Sequence, residues 1–387
     1  MSGPFTTAES LAAVLRDKRL VVLVGEGGVG KTSTSAALAY ERACGGESVA
    51  VLTIDPAPRL GNALGLASID AEPRSVALPS PPCDRRGSLT AMRLDSKRTF
   101  DRMVERHSPS PAAAAKLIAH PIYRAISEQL GGSENYMAFQ RLHELVDAGG
   151  HDCLVLDTPP AANAAELLAA PARLTGLLET GALAILADPA RIFLRAGGAV
   201  SRVGGAVATA GGMIARATLS SVLAAVERVT GTSLRKDVSE FAVMFGGLVG
   251  GLENRARQID TLLRSEQTAF VLVTRPRTRD VTDALAFRAG LARMGIQVTA
   301  VLVNRVTPAA RHHDPRGLDQ VPARLHAAVL RMESDMDALR AIESEALALL
   351  RAGLARTGDP PLFMLAARDI DIASLEDVAG LAVELAR

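Results

Sequence analysis

Six short, continuously apolar runs recur along the chain and constrain its fold more than any other feature. They are residues 20–25 (LVVLVG), 49–55 (VAVLTID), 153–157 (CLVLD), 270–274 (FVLVT), 299–304 (TAVLVN) and 362–366 (LFMLA). A strand with one wet face alternates apolar and polar residues; a strand covered on both faces does not. Helical patterns over 32–43, 280–294 and 323–351 separate the runs. This alternation predicts βαβ units and an α/β architecture in three layers, a mostly parallel sheet between helices. With 387 residues, 48% apolar and 22% charged, the chain can bury such a core.

Composition excludes several function classes. A net charge of +1 gives no general attraction to nucleic acid or to an anionic membrane. Aromatic residues are 3% of the chain and tryptophan is absent, which argues against binding single strands by base stacking, so no nucleic-acid partner is expected. Arg191, Arg195, Arg202 and Arg216 interrupt the most apolar region, leaving no stretch of about 20 apolar residues to cross a bilayer. The opening MSGPFTTAESLAAVLRDKR lacks the charged-then-apolar order of a secretory signal. The expectation is a cytoplasmic protein without a transmembrane segment. Cys44, Cys83 and Cys153 lie far apart with no C-x-x-C, which reads as neither a disulfide framework nor a zinc clasp.

Two stretches, 56–150 and 159–267, are too long for simple crossovers. They read as helical insertions, at 66–145 and 165–266, within a single domain spanning 1–387. The second insertion repeats paired glycines every seven residues: GGAVSRV at 197, GGAVATA at 204 and GGMIARA at 211. Each helical glycine costs about 1 kcal/mol against alanine. The segment is therefore either a flexible loop or a mobile surface that orders on a client helix, a partner or a second subunit.

Gly25-Glu26-Gly27-Gly28-Val29-Gly30-Lys31-Thr32 satisfies G-x-x-x-x-G-K-[ST] between an expected strand and an expected helix. The backbone of Gly27, Gly28, Val29 and Gly30 can curl so that successive N–H groups point at phosphate oxygens, and the helix N-terminus carrying Ser33 adds its positive dipole end. Lys31 supplies a charge to the outer phosphates, and the Thr32 hydroxyl suits Mg²⁺. Two strand-end acids complete the set. Asp157 is placed to hold Mg²⁺ directly or through water, and Asp55, before a proline turn, is placed to orient or deprotonate an attacking water. Each could instead cap the element that follows it.

These motifs resemble those of the ArsA-type ATPases, which include arsenite-transport ATPases and ATPases that deliver tail-anchored membrane proteins. GEGGVGKT, the Asp-Pro-Ala at 55–57 and DTPP-x-x-N-A-x-x-L-L-x-A-P from 157 carry the resemblance, and GGSENYMAFQRLHEL from 131, VLVNRV at 301–306 and DPPLFML at 359–365 support it. The resemblance implies ATP and Mg²⁺ as cofactors and a dimer, either a homodimer or a heterodimer with a paralogous ATPase. It further implies switch segments at 55–65 and 157–163, Asn304 as a reader of the adenine edge, and 359–365 as a loop closing over the base.

The departures are specific. Glu26 stands where the family carries a lysine that reaches the partner subunit's phosphates. Unit charges about 4 Å apart interact by about 4 kcal/mol at an effective dielectric of 20, so this exchange reverses the sign of a sizeable term. Ala161-Ala162-Asn163 stands where the targeting members carry Thr-Gly-His. The residues point first to an ATP-hydrolysing switch whose insertions bind a protein client or partner. They leave open a weakly hydrolysing assembly subunit paired with a paralogue, and a metalloid-efflux subunit that would need its cysteines together. His312-His313 reads as a pair of solvated loop residues.

Overall fold

The computed structural model describes residues 10–79, 87–121, 123–124, 134–160, 251, 254–308, 322–355, 360–369 and 371–387. The chain divides into two compact units, one made of 1–93, 149–165 and 264–387, the other of 94–148 and 166–263. The first contains all the described strands.

Its helices and strands alternate as the apolar runs require. In chain order they are α1 (Leu11–Leu15), β1 (Leu20–Val24), α2 (Lys31–Cys44), β2 (Ser48–Thr53), α3 (Arg59–Ala63), β3 (Arg74–Val76), β4 (Ser88–Arg93), β5 (Cys153–Asp157), β6 (Thr268–Thr274) and β7 (Ala300–Val306). The last strand is β8 (Leu362–Ala366). The sheet order is β3-β4-β2-β5-β1-β6-β7-β8, and only the β3/β4 edge pair is antiparallel. Every residue of β1, β5 and β6 is buried, so both faces of the sheet centre are covered. One face, carrying Val21, Leu23, Val51, Val155 and Val271, packs on α1, α2 and α3 in a single apolar cluster. This α/β architecture matches the expectation from the runs.

Two strands were not foreseen. β3 and β4 fall inside 66–145, which reads from sequence as a helical insertion containing an exposed Pro-rich loop at 73–82; both strands belong to the first unit, and the second begins at Leu94. β3 has three residues, two of them exposed, and β4 alternates in burial, so neither makes a continuous apolar run.

The cysteine reading also changes. Cys44 is disulfide-bonded, whereas Cys153 is a free buried thiol whose pKa burial pushes up to about 12. Gly87 packs closely on the C-terminal end of α2: a Cβ there would lie 1.9 Å from the Ala43 carbonyl oxygen.

In the second unit, Ser96–His107, Pro111–Ala119 and Glu134–Ala148 form α4, α5 and α6. The Phe100 and Tyr123 rings stack with centroids 5.2 Å apart, and the Tyr123 hydroxyl donates to Asp101 at 2.7 Å. The Arg255 guanidinium donates to Asp147 of α6 at 2.5 Å. The glycine repeat at 197–217, Ala161–Asn163, His312-His313 and Cys83 lie outside the described residues, as does nearly all of 165–266. Back in the first unit, α7 (Thr278–Arg293) lies on β6 and against α8 (Ala323–Leu354), while α9 (Leu375–Leu385) lies on α2. Glu343 of α8 ties that helix to the end of β7, accepting from the Thr307 backbone N–H at 2.9 Å and hydroxyl at 2.7 Å. No described helix is long and apolar enough to cross a membrane.

Candidate nucleotide site

In a parallel sheet, loops at the carboxyl ends of adjacent strands meet in one crevice. β1 lies between β5 and β6, and Asp157 is in register with Leu23 of β1 and Thr53 of β2. The loop after β1, the carboxylate ending β5 and the turn after β2 therefore converge.

The β1–α2 loop needs its glycines for two reasons. Gly25 has φ 147°, and a Cβ there would lie 2.1 Å from the Val273 carbonyl oxygen. Gly30 has φ 102°, and a Cβ there would meet the Asn304 amide nitrogen at 2.1 Å. Gly30 is also the N-cap of α2 and supplies no side-chain cap, which leaves the first-turn N–H groups free for an anion. Val29 is fully buried and pins the loop from below. The Lys31 ammonium donates to the Gly25 carbonyl at 2.8 Å and the Glu26 carbonyl at 2.7 Å, arching over the loop. An ammonium has three donors, so one remains. Burial lowers the Lys31 pKa, opposed by Asp157, Glu26 and Asp55.

Asp157 gathers hydroxyls from two elements. Its Oδ2 accepts from Thr32 of α2 at 2.8 Å and from Thr53 of β2 at 3.1 Å. Its Oδ1 is buried and has no hydrogen-bond partner. Carboxylate and hydroxyl oxygens are the hard donors that Mg²⁺ takes, and a buried carboxylate oxygen without a partner is costly unless something meets it. Thr32 and Asp157 thus fit a magnesium ion.

Burial pushes the Asp157 pKa up to about 6, against the opposite pulls of Thr32, Lys31 and Thr53. A carboxyl with a raised folded-state pKa stabilises the fold at low pH and loses that contribution as pH rises through the folded value, here between about 4 and 6. The loss is about 3 kcal/mol for the metal-free protein. Asp157→Asn, which cannot ionise, is expected to be more stable than wild type at pH 7.5, with the advantage shrinking toward pH 4. Urea unfolding across that range measures it, and a stability difference that does not change with pH contradicts it.

Asp55 lies just past β2. Its Oδ1 accepts from the Ala57 N–H at 2.9 Å, a turn closed by its own side chain, and its Oδ2 is 3.8 Å from the Arg59 guanidinium. Its backbone N–H donates to the Thr53 hydroxyl at 3.2 Å. Glu26 is half-buried, and its charge is felt at Lys31.

Asn304 reaches the site differently from its expected role. Its amide NH₂ donates to the Val29 carbonyl at 2.8 Å, and its Oδ1 accepts from the Arg305 N–H at 2.9 Å. It braces the phosphate loop from β7, and one N–H and one lone pair of the amide are left for a base. Arg305 sits at φ 61°, where the β7/β8 register shifts. Beside Asn304 a cleft of about 190 Å³ opens, lined by Gly30, Ser33, Arg305, Arg368 and Asp371 among others. Of the segment 359–365 that the resemblance placed over the base, 362–365 lie in β8, as their apolar run implied, and Ala366, Ala367, Arg368, Asp371 and Ile372 line the cleft beyond that segment. Sequence reading missed Thr53, Arg59, Arg305, Arg368 and Asp371. Thr53 carried no signal, because a threonine at a strand end is ordinary.

A loop of this form on a mostly parallel sheet, with an acid at the end of the neighbouring strand, defines a P-loop nucleotide-binding α/β protein. Residues 18–201 match the family described as anion-transporting ATPase. An uncharacterized protein of Streptomyces coelicolor is 31% identical over 291 residues, 75% of this chain and 63% of its own length. An ATPase GET3 of Malassezia globosa is 28% identical over 147 residues, covering 38% of this chain and 40% of that protein. A Halobacterium salinarum protein named as an arsenical pump-driving ATPase is 27% identical over 203 residues, 48% of this chain and 29% of its own. The chain therefore spans less than two thirds of the length of these relatives. Over residues 18–201 the chain is thus similar to the ArsA-type ATPases.

Proposed function

We propose that this protein binds and hydrolyses ATP as a dimeric switch whose nucleotide state governs its hold on a protein client or partner. The observation that carries the reading is the convergence of Lys31, Thr32 and Asp157 at the phosphate loop, with one buried carboxylate oxygen of Asp157 left unpartnered. Lys31 and the loop N–H groups hold the β- and γ-phosphates, with Ser33 and Asn304 toward the nucleoside. Thr32 and Asp157 hold Mg²⁺, which when bound neutralises charge on the phosphate oxygens. Asp55 orients the water that attacks the γ-phosphorus, and the leaving oxygen departs with ADP. The helical segments of the second unit and 165–266 are assigned to the client.

Calorimetry with ATP and with GTP, with and without magnesium, followed by phosphate release, tests this directly. Tight magnesium-dependent ATP binding and measurable turnover are expected; no heat with either nucleotide overturns the reading.

A second reading, a weakly hydrolysing subunit paired with a paralogue, is favoured by Glu26 and by Ala161-Ala162-Asn163 in the sequence. An anion in the phosphate loop opposes the polyphosphate, and the solvent and salt that reach a half-buried side chain screen that opposition only in part. Glu26→Gln is accordingly expected to tighten ATP binding about two- to fivefold, the range of a weak surface charge interaction. Repeating the titration in high salt checks the cause, because an electrostatic gain shrinks there. The metalloid alternative loses ground: Cys44 is in a disulfide, and a buried thiol at about 12 holds its proton.

A further inference from the structure

The Thr53 hydroxyl sits where two functional acids meet. It ends β2, is 1% exposed, and donates its single proton to Asp157 Oδ2 at 3.1 Å. The same oxygen accepts the backbone N–H of Asp55 at 3.2 Å. A hydroxyl carries one proton and two lone pairs, so the chain has one direction: Asp55 N–H to Thr53 Oγ1, then Thr53 O–H to Asp157. Asp55 continues it, because its side chain closes onto the Ala57 N–H. A metal ion at Asp157 draws electron density from the oxygen that Thr53 addresses and so changes the strength of the whole chain.

We infer that Thr53 is a positioning residue that passes the state of the metal-holding carboxylate to the turn presenting Asp55. The inference rests on the nucleotide reading above and adds to it how the two acids are kept in step. Thr53 touches neither phosphate nor water in this account; it acts through Asp157 on one side and the Asp55 backbone on the other. Valine has the same shape without the hydroxyl, and serine keeps the hydroxyl without the methyl, so the two variants separate hydrogen bonding from packing.

The test follows hydrogen exchange of the peptide covering 55–64 in full-length wild type, Thr53→Val and Thr53→Ser, each with a non-hydrolysable ATP analogue in magnesium or in EDTA. Wild type is expected to gain protection on adding magnesium, Thr53→Val to lose that response while binding the analogue in EDTA as wild type does, and Thr53→Ser to recover it. In parallel, kcat is expected to fall about 10- to 100-fold in Thr53→Val, the scale of a small misplacement of a reacting group, and to return in Thr53→Ser. A Thr53→Val protein that keeps the magnesium response overturns the inference. So does a Thr53→Ser protein that fails alongside it, since packing would then be the cause. If wild type binds no analogue, the nucleotide reading falls first and this inference falls with it.

Discussion

With Lys31 changed to alanine, MgATP binding is expected to weaken by about 30-fold to several thousand-fold, corresponding to the roughly 2–5 kcal/mol that follows removal of one partner from a buried, hydrogen-bonded charge pair. Lys31 is 7% exposed and already fixed by two loop carbonyls, so little ordering cost remains when its third donor meets a phosphate. Its truncation removes the cation and frees the Gly25 and Glu26 carbonyls to face incoming anions. The fold should survive, because Lys31 opens α2 and alanine is the best helix former. Isothermal titration reports the affinity and a thermal melt reports the fold. A folded variant with wild-type affinity would show that the loop does not bind phosphate.

Asp55→Asn is expected to leave ATP affinity in place and slow the hydrolytic step by about 10²- to 10⁴-fold, the range for loss of a positioned general base. The change is narrow: the asparagine carbonyl can still accept from the Ala57 N–H, so the turn is kept while the charge is lost. The Arg59 ion pair that disappears with it spans 3.8 Å and its arginine is 68% exposed, so its own contribution to stability is small. Single-turnover phosphate release separates chemistry from binding. Wild-type rates in the variant would move the hydrolytic role away from Asp55.

The two predictions differ in how visible their residues were. Lys31 announced itself, because a lysine after a glycine loop between strand and helix has few other uses. Asp55 and Asp157 were visible as the ends of apolar runs, and in a parallel sheet the ends of adjacent strands share one edge. β1, β2, β5, β6 and the first half of β7 were legible for the same reason, since double-sided burial demands uninterrupted apolar residues, whereas β8 is an apolar run at the sheet edge in which only Leu365 is buried. β3 and β4 were not legible: β3 is a three-residue edge strand with two exposed residues, and the ends of β4 are exposed, so both carry a weak pattern.

Asn304 shows where local reading stops. The family resemblance marked it as near the nucleotide, yet what its amide does is set by Val29, 275 residues away. The disulfide of Cys44 has the same character, since widely spaced cysteines gave no local sign of it.

From the amino-acid order alone came the α/β class, the phosphate loop and the two acids, because each depends on backbone conformation or on burial that a short window of residues reveals. Only the tertiary structure decided that Thr32 and Thr53 share one oxygen of Asp157, that its other oxygen is left without a partner, and that Asn304 braces the loop. Those are contacts between strands and helices far apart in the chain, and their geometry exists only once the sheet has set its register.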